Sequence, residues 1–227
     1  MKTTSTFFAK TIVSSALVVT ASLTAWSQDH NGFYVKTDLG GNVTLDTDLK
    51  EFFGPVVPGT KVKFDPGLRA GLAGGYQFIN WLAVEGELGY YQNSIDKITG
   101  AYEMHDSWLA NVPFMVNGRL QYPNRSPLTP YIGAGVGFTE SILWADEINI
   151  GGTHLHGDLY DTEFAWQLFA GLRFRINEQM GLSVEYRYFE AEGPEWQADH
   201  TEGTLTDTMR FGRAQTHSLS LAFDFRF

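Results

Sequence analysis

The chain has 227 residues, with 24 glycines, 15% aromatic residues and no cysteine, and its 26 acidic side chains outnumber 16 basic ones. Without cysteine there is no disulfide scaffold and no thiol chemistry. The acidic balance argues against nucleic acid as a partner, because that partner needs a basic footprint. The length suits one domain. The chain opens on a leader pattern. Lys2 and Lys10 precede an apolar segment at 11–24 with Ile12, Val13, Leu17, Val18, Val19 and Leu23, and the small-residue run Ala25-Trp26-Ser27 follows. This order reads as a secretory signal peptide over residues 1–27. The competing reading, a membrane anchor, asks for roughly 20 apolar residues, more than this segment offers. Removing 1–27 takes away two lysines and no acid, so residues 28–227 carry 14 basic against 26 acidic groups, a net −12.

From Asn31 the chain alternates with a period of two, the period of a strand whose side chains point to opposite faces. The first predicted strand sets Phe33, Val35, Thr37, Leu39, Val43 and Leu45 against Lys36 and Asp38. Residues 46–66 lose the alternation and gather Gly54-Pro55, Pro58-Gly59 and Asp65-Pro66, which predicts a long loop. The second strand sets Leu68, Ala70, Leu72, Tyr76 and Phe78 against Arg69 and Gln77, and after a short turn the third sets Leu82, Val84, Leu88 and Tyr90 against Glu85 and Glu87. A second polar loop is expected at 92–107. The fourth strand carries Trp108, Phe114, Val116 and Leu120 opposite Asn111, Asn117 and Arg119, with Pro113 in its middle, where a bulge is the expected accommodation. The fifth runs from Pro130 to about Ser141, with Tyr131, Gly133, Gly135 and Gly137 inward. A third loop is expected at 140–161. The sixth strand sets Phe164, Trp166, Leu168, Leu172 and Phe174 against Gln167, Arg173 and Arg175, and the seventh sets Leu182, Val184, Tyr186 and Tyr188 against Glu185 and Arg187. A fourth loop at 190–213 leads to the last strand, where Leu219, Leu221, Phe223, Phe225 and Phe227 alternate with Ser218, Ser220, Ala222, Asp224 and Arg226.

Two features decide the fold class. The apolar face of the eight predicted strands contains no Asp, Glu, Lys or Arg, while charges occupy the opposite face. The connections alternate long and short, the asymmetry of outer-membrane barrels with short periplasmic turns and long outer loops. The prediction is an all-β chain, an eight-stranded antiparallel transmembrane β-barrel of outer-membrane type over residues 28–227, with both termini on the periplasmic side. A secreted sandwich or lipocalin-like barrel is the competing architecture. Trp81 near an inner turn, and Trp108 and Trp166 near outer strand ends, fit aromatic girdles at the two interfaces.

The run Pro130-Tyr-Ile-Gly-Ala-Gly-Val-Gly-Phe138, the Glu-Tyr-Arg-Tyr at 185–188, Val112-Pro-Phe-Met-Val-Asn-Gly118 and the closing Phe-Asp-Phe-Arg-Phe carry a likeness. The chain resembles the small eight-stranded outer-membrane barrels of Gram-negative bacteria, the OmpA-type and opacity-type surface proteins. The resemblance implies that Phe227 is read as a C-terminal signal by the barrel-assembly machinery. It also implies a setting in outer-membrane lipid and lipopolysaccharide. Nothing follows the last predicted strand, so a peptidoglycan-anchoring role is not expected. The fold hosts many activities, and the likeness is poor for function.

The inward charges are Lys36, Asp38, Arg69, Glu85, Glu87, Arg119, Arg173, Arg175, Glu185, Arg187, Asp224 and Arg226, seven basic and five acidic. Eight strands enclose a lumen just wide enough for side chains, and an unpaired charge there is very costly. These residues are therefore expected to form a structural ionic plug; the competing reading is a gated proton or ion path. The loops are acidic and offer the oxygen ligands that hard divalent cations prefer, but no segment has the spacing of a calcium loop, so a solvated acidic surface is the plainer reading. His154, His156 and Asp158 are a weak metal-ligand set on a glycine-flanked stretch. His105-Asp106-Ser107 is the one His-x-Ser pair, and the strand beside it supplies no carboxylate to orient the histidine. No catalytic residue and no cofactor is expected. The sequence thus points to a monomeric, non-catalytic envelope-structural or surface-interaction protein that meets an extracellular ligand through loops 46–66, 92–107, 140–161 and 190–213. A narrow channel for small solutes or ions stands as the alternative, and a lipid A-modifying enzyme comes third.

Overall fold

Alternation becomes a wall only when each strand finds a partner on both sides, because backbone N–H and C=O groups in lipid have no water to bond. The structure is a computed structural model that describes residues 31–52, 54–99, 104–105, 107–124, 126–150, 153–197 and 208–227; the expected signal peptide lies outside them. In chain order the strands are β1 (Gly32–Thr44), β2 (Thr47–Phe52), β3 (Lys61–Phe64), β4 (Gly67–Ile79), β5 (Leu82–Ile98), β6 (Met104–His105), β7 (Trp108–Gln121), β8 (Leu128–Ile150), β9 (Thr153–Arg175), β10 (Met180–Ala191), β11 (Glu195–Gln197), β12 (Thr208–Phe211) and β13 (Ala214–Arg226). The ring runs β1-β4-β5-β7-β8-β9-β10-β13 and closes because β1 pairs with both β4 and β13, all antiparallel. Closure leaves no edge strand in the membrane. Tight connections lie at the end where β1 begins and β13 ends, and there the N–H of Phe227 donates to Phe33 O at 3.0 Å.

The outward side chains of the ring are apolar and bare. Phe33 is 63% exposed, Val116 62% and Leu221 60%, with no protein layer over them. No helix of the described residues is long and apolar enough to cross a membrane; the strands cross it. The band ends where Glu140 and Glu190 appear on the outward face of β8 and β10. Near that level the rings of Trp108 and Trp144 lie 5.7 Å apart and those of Trp166 and Tyr188 5.3 Å, an aromatic girdle at the interface.

Much of what reads as loop is strand. β5 continues to Ile98, β8 and β9 form a hairpin of 23 residues per arm, and β10 reaches Ala191. β2, β3, β11 and β12 pair in the order β11-β12-β2-β3, with β3 joined to the end of β5. The physical reason is an inversion of polarity. Within the bilayer a strand is polar inside and apolar outside. Above it, Ile95, Leu109 and Leu143 turn apolar groups inward, while Ser94, Asp96 and Glu140 face water. The alternation changes sense at the rim, so the strand signal read from the sequence fades there.

Pro113 is accommodated without a bulge. The ladder to β8 is unbroken, Val112↔Glu140, Pro113↔Thr139 and Phe114↔Phe138. The ladder to β5 skips from Leu88↔Phe114 to Tyr91↔Asn111 in the same register. The missing N–H costs that one stretch of pairing, and the ring points inward over Gly89, where a side chain would collide with it.

Candidate functional site: the filled lumen and its cap

The inward faces of the ring stack in layers. At the periplasmic end Arg173 holds Asp224 through two parallel bonds, Nε to Oδ1 at 2.7 Å and Nη2 to Oδ2 at 2.6 Å, a bidentate geometry of high specificity. Arg226 sits 3.8 Å from the same carboxylate and is partly exposed. Above it, Tyr34 donates to Glu85 at 2.6 Å, Arg119 reaches Glu85 at 3.1 Å, and Lys36 lies 3.3 Å from Glu85 and 3.1 Å from Glu185. Arg187 bridges Glu185 at 2.5 Å and Glu87 at 2.8 Å. Glu87 also accepts from Arg69 at 2.8 Å and from Asn117 at 2.6 Å, and Arg69 in turn pairs with Asp38.

Aromatic faces fill what the charges leave. The Arg119 guanidinium lies 4.7 Å from the Tyr34 ring and that of Arg187 4.8 Å from the Phe169 ring, the arrangement of cation–π contacts. Glycines opposite these rings are sockets: a side chain at Gly75 would meet Tyr34, one at Gly133 would meet Phe169, and one at Gly171 would meet Tyr131. Above the charges Tyr91 and Phe189 stack at 4.9 Å, packed with Met115, Ala165, Ala191 and Ala214. Over the outer mouth an apolar cluster joins Ile95, Leu109 and Leu143 of the wall to Leu49, Phe52, Val62, Trp196, Met209 and Phe211 of the outer strands.

The outer membrane protein beta-barrel domain is the family whose model matches, over residues 13–227. The chain belongs to this family. Its site is the bacterial outer membrane. Similar chains include an uncharacterized protein of Brucella abortus, 26% identical over 199 residues, spanning 71% of this barrel protein and 69% of that one. Outer membrane protein PagN of Salmonella typhimurium is 30% identical over 79 residues, 34% of this chain and 33% of its own. Among solved structures, the outer membrane protein OprG of Pseudomonas aeruginosa overlays with a TM-score of 0.57 at 15% identity, over 88% of this chain and 99% of that one. That likeness concerns the fold.

In this outer-membrane barrel the inward charges named from the sequence meet in the lumen, with one correction. Arg175 follows the same parity but is exposed at the end of β9, and among the described residues it makes no ion pair; the strand rim there opens to water. The side chains of His154, His156 and Asp158 lie outside the described residues, as does that of His105, and no group able to hold a metal through three His, Cys, Asp or Glu appears among the described ones. The expected acidic loops are less uniform than their composition. Lys50 lies 3.2 Å from Asp48, Lys63 3.6 Å from Asp46 and Arg210 3.5 Å from Glu195, all solvent-exposed. Glu163, between the expected third loop and the predicted sixth strand, is an inward residue of the β9 wall, 7% exposed. Tyr34, Phe169 and Phe189 escaped the sequence reading; their place in the alternation, on the inward side of strands otherwise apolar outside, was the available signal.

Proposed function

We propose that this barrel is a closed, non-catalytic outer-membrane protein that acts at the cell surface through its strand-built cap and the β8–β9 hairpin. The observation that carries the reading is the continuous filling of the lumen, from the Arg173–Asp224 pair through the Lys36–Glu85–Glu185–Arg187–Glu87–Arg69 network to the Trp196–Phe211 cap. A lumen of eight strands has no spare width once such side chains occupy it. The carboxylates of the network are bound to cations away from solvent and cannot meet a substrate, which argues for a non-catalytic role. The surface left to work is the outer one, where an extracellular ligand meets paired strands. The apolar wall is solvated by lipid and lipopolysaccharide as a single barrel, and the exposed Phe227 ring is offered to the assembly machinery during biogenesis.

The test is conductance of the refolded protein in a planar bilayer, with insertion verified by a heat-dependent gel shift. The expected record is silent. Stable, resolvable current steps would replace this reading with that of a narrow channel.

A further inference from the structure

The outer end of the lumen holds a polar group of a different kind. Lower down, each buried carboxylate has a cation: Asp38 has Arg69, Glu85 has Lys36 and Arg119, Glu87 has Arg69 and Arg187, Glu185 has Lys36 and Arg187, and Asp224 has Arg173. Glu163 has none among the described residues. It is more than nine-tenths buried, and the charges that act on it, Asp161 and Glu192, are negative like itself. Its Oε2 accepts from the Ser141 hydroxyl at 2.9 Å, while Oε1 has no protein partner. Thr139 stands directly across the β8–β9 ladder from Glu163, fully buried, with its hydroxyl also unpartnered. Asn111, paired with Ser141 across the β7–β8 ladder, places Oδ1 2.6 Å from the same Ser141 hydroxyl.

A hydroxyl carries one hydrogen, so Ser141 cannot serve Asn111 Oδ1 and Glu163 Oε2 at once. Polar side chains of three adjacent strands thus gather around Ser141 and Glu163, whose carboxylate has no partner charge among the described residues, a state the interior does not tolerate. We propose that Glu163, Ser141, Asn111 and Thr139 form a binding site for a hard metal cation at the outer end of the lumen. The donors are all oxygen, the choice of Ca²⁺ and Na⁺, with no imidazole or thiolate to favour a softer metal. The ladder pairs fix the spacing of the ligands, and acidic Asp161 and Glu192 draw cations toward them. A single carboxylate sets a modest affinity, on the order of 0.1–1 mM for Ca²⁺, the range of extracellular calcium modules. The ion ties β7, β8 and β9 together at the foot of the long hairpin. Trp196, whose indole N–H donates to the Ser141 carbonyl at 3.3 Å, roofs the site.

The roof supplies the probe. Tb³⁺ is titrated into chelator-treated, refolded protein under tryptophan excitation, because a lanthanide beside Trp196 emits by energy transfer from the indole. The expected result is saturable emission that Ca²⁺ or Na⁺ competes away, with at least tenfold weaker binding in Glu163→Gln and no change in Glu140→Gln, which removes an exposed carboxylate of the same strand pair. A second measurement covers a site that prefers the monovalent ion. NaCl should then raise the unfolding midpoint of the wild type above that in choline chloride of equal ionic strength, and Glu163→Gln should abolish the difference. Equal Tb³⁺ affinity in wild type and Glu163→Gln would assign the binding to the acidic surface and overturn the proposal. Absence of both saturable emission and a sodium effect would mean that a proton neutralises Glu163, and would overturn it too.

Discussion

Replacing Glu85 by glutamine keeps the shape of the side chain and removes one charge from the middle of the lumen. Lys36 retains Glu185 at 3.1 Å, but Arg119 loses its only ion-pair partner among the described residues, and its Nε and Nη2 already lack hydrogen-bond partners. The guanidinium is left against the Tyr34 and Tyr131 rings, 4.7 and 5.5 Å away. Removing one member of a buried pair costs about 3–5 kcal/mol, and the complete burial of Glu85 places this change at that end of the scale. With a urea dependence of about 2 kcal/mol/M, the unfolding midpoint in lipid vesicles, followed by tryptophan fluorescence, should fall by roughly 2 M. Adding Arg119→Met should recover most of the loss, since exchanging a whole buried pair for neutral side chains of similar size is close to neutral or better. A Glu85→Gln midpoint within a few tenths molar of the wild type, or a double variant no better than the single one, would refute the ionic plug. Water would then be solvating that carboxylate.

Two further outcomes test the wall. Leu221→Arg, at a side chain facing the hydrocarbon, should cost about 2–4 kcal/mol, while Leu45→Arg, beyond the outer rim, should cost no more than about 1 kcal/mol; equal effects in a refolding titration would void the depth assignment. Gly133→Ala pushes a methyl into the Phe169 ring and should destabilise by about 1–3 kcal/mol, whereas Gly118→Ala enters open space on the lipid side and should stay within about 0.5 kcal/mol. Matching urea midpoints for the two alanine variants would show that the lumen has slack.

The wall was readable in the sequence because lipid enforces alternation without exception over the band. In β13 every second residue from Leu219 to Phe225 faces the hydrocarbon, and in β1 Lys36 and Asp38 fall inside as their parity requires. The outer part was not readable, since past the rim the same period of two carries the opposite polarity. Ile95 then looks like a stray in a polar loop when it is the inward face of a continuing strand, and Ile98, three residues on, joins it inside only because a register shift against β3 leaves Asp96 as an extra residue between them. Arg175 shows the converse failure: its parity is inward, but parity does not say where the lumen ends. Glu163 belongs to the inward series of Ala165 and Gln167, and starting the strand at Phe164 hid it. The role of Pro113 depended on Gly89 of a neighbouring strand, a pairing that no single segment discloses.

The reversal of polarity at the rim also fixes how high the protein rides. Moving the barrel by two residues along its tilted strands changes its height by roughly 5 Å. Rising by that amount lifts Phe138 and Phe164, 61% and 43% exposed, out of hydrocarbon. Sinking by it carries the exposed carboxylate of Glu140 into it. Neither displacement is cheap, so the protein has one vertical station. A bilayer of another thickness must thin or swell around it, which makes the chain a local gauge of membrane thickness as well as a passenger in it.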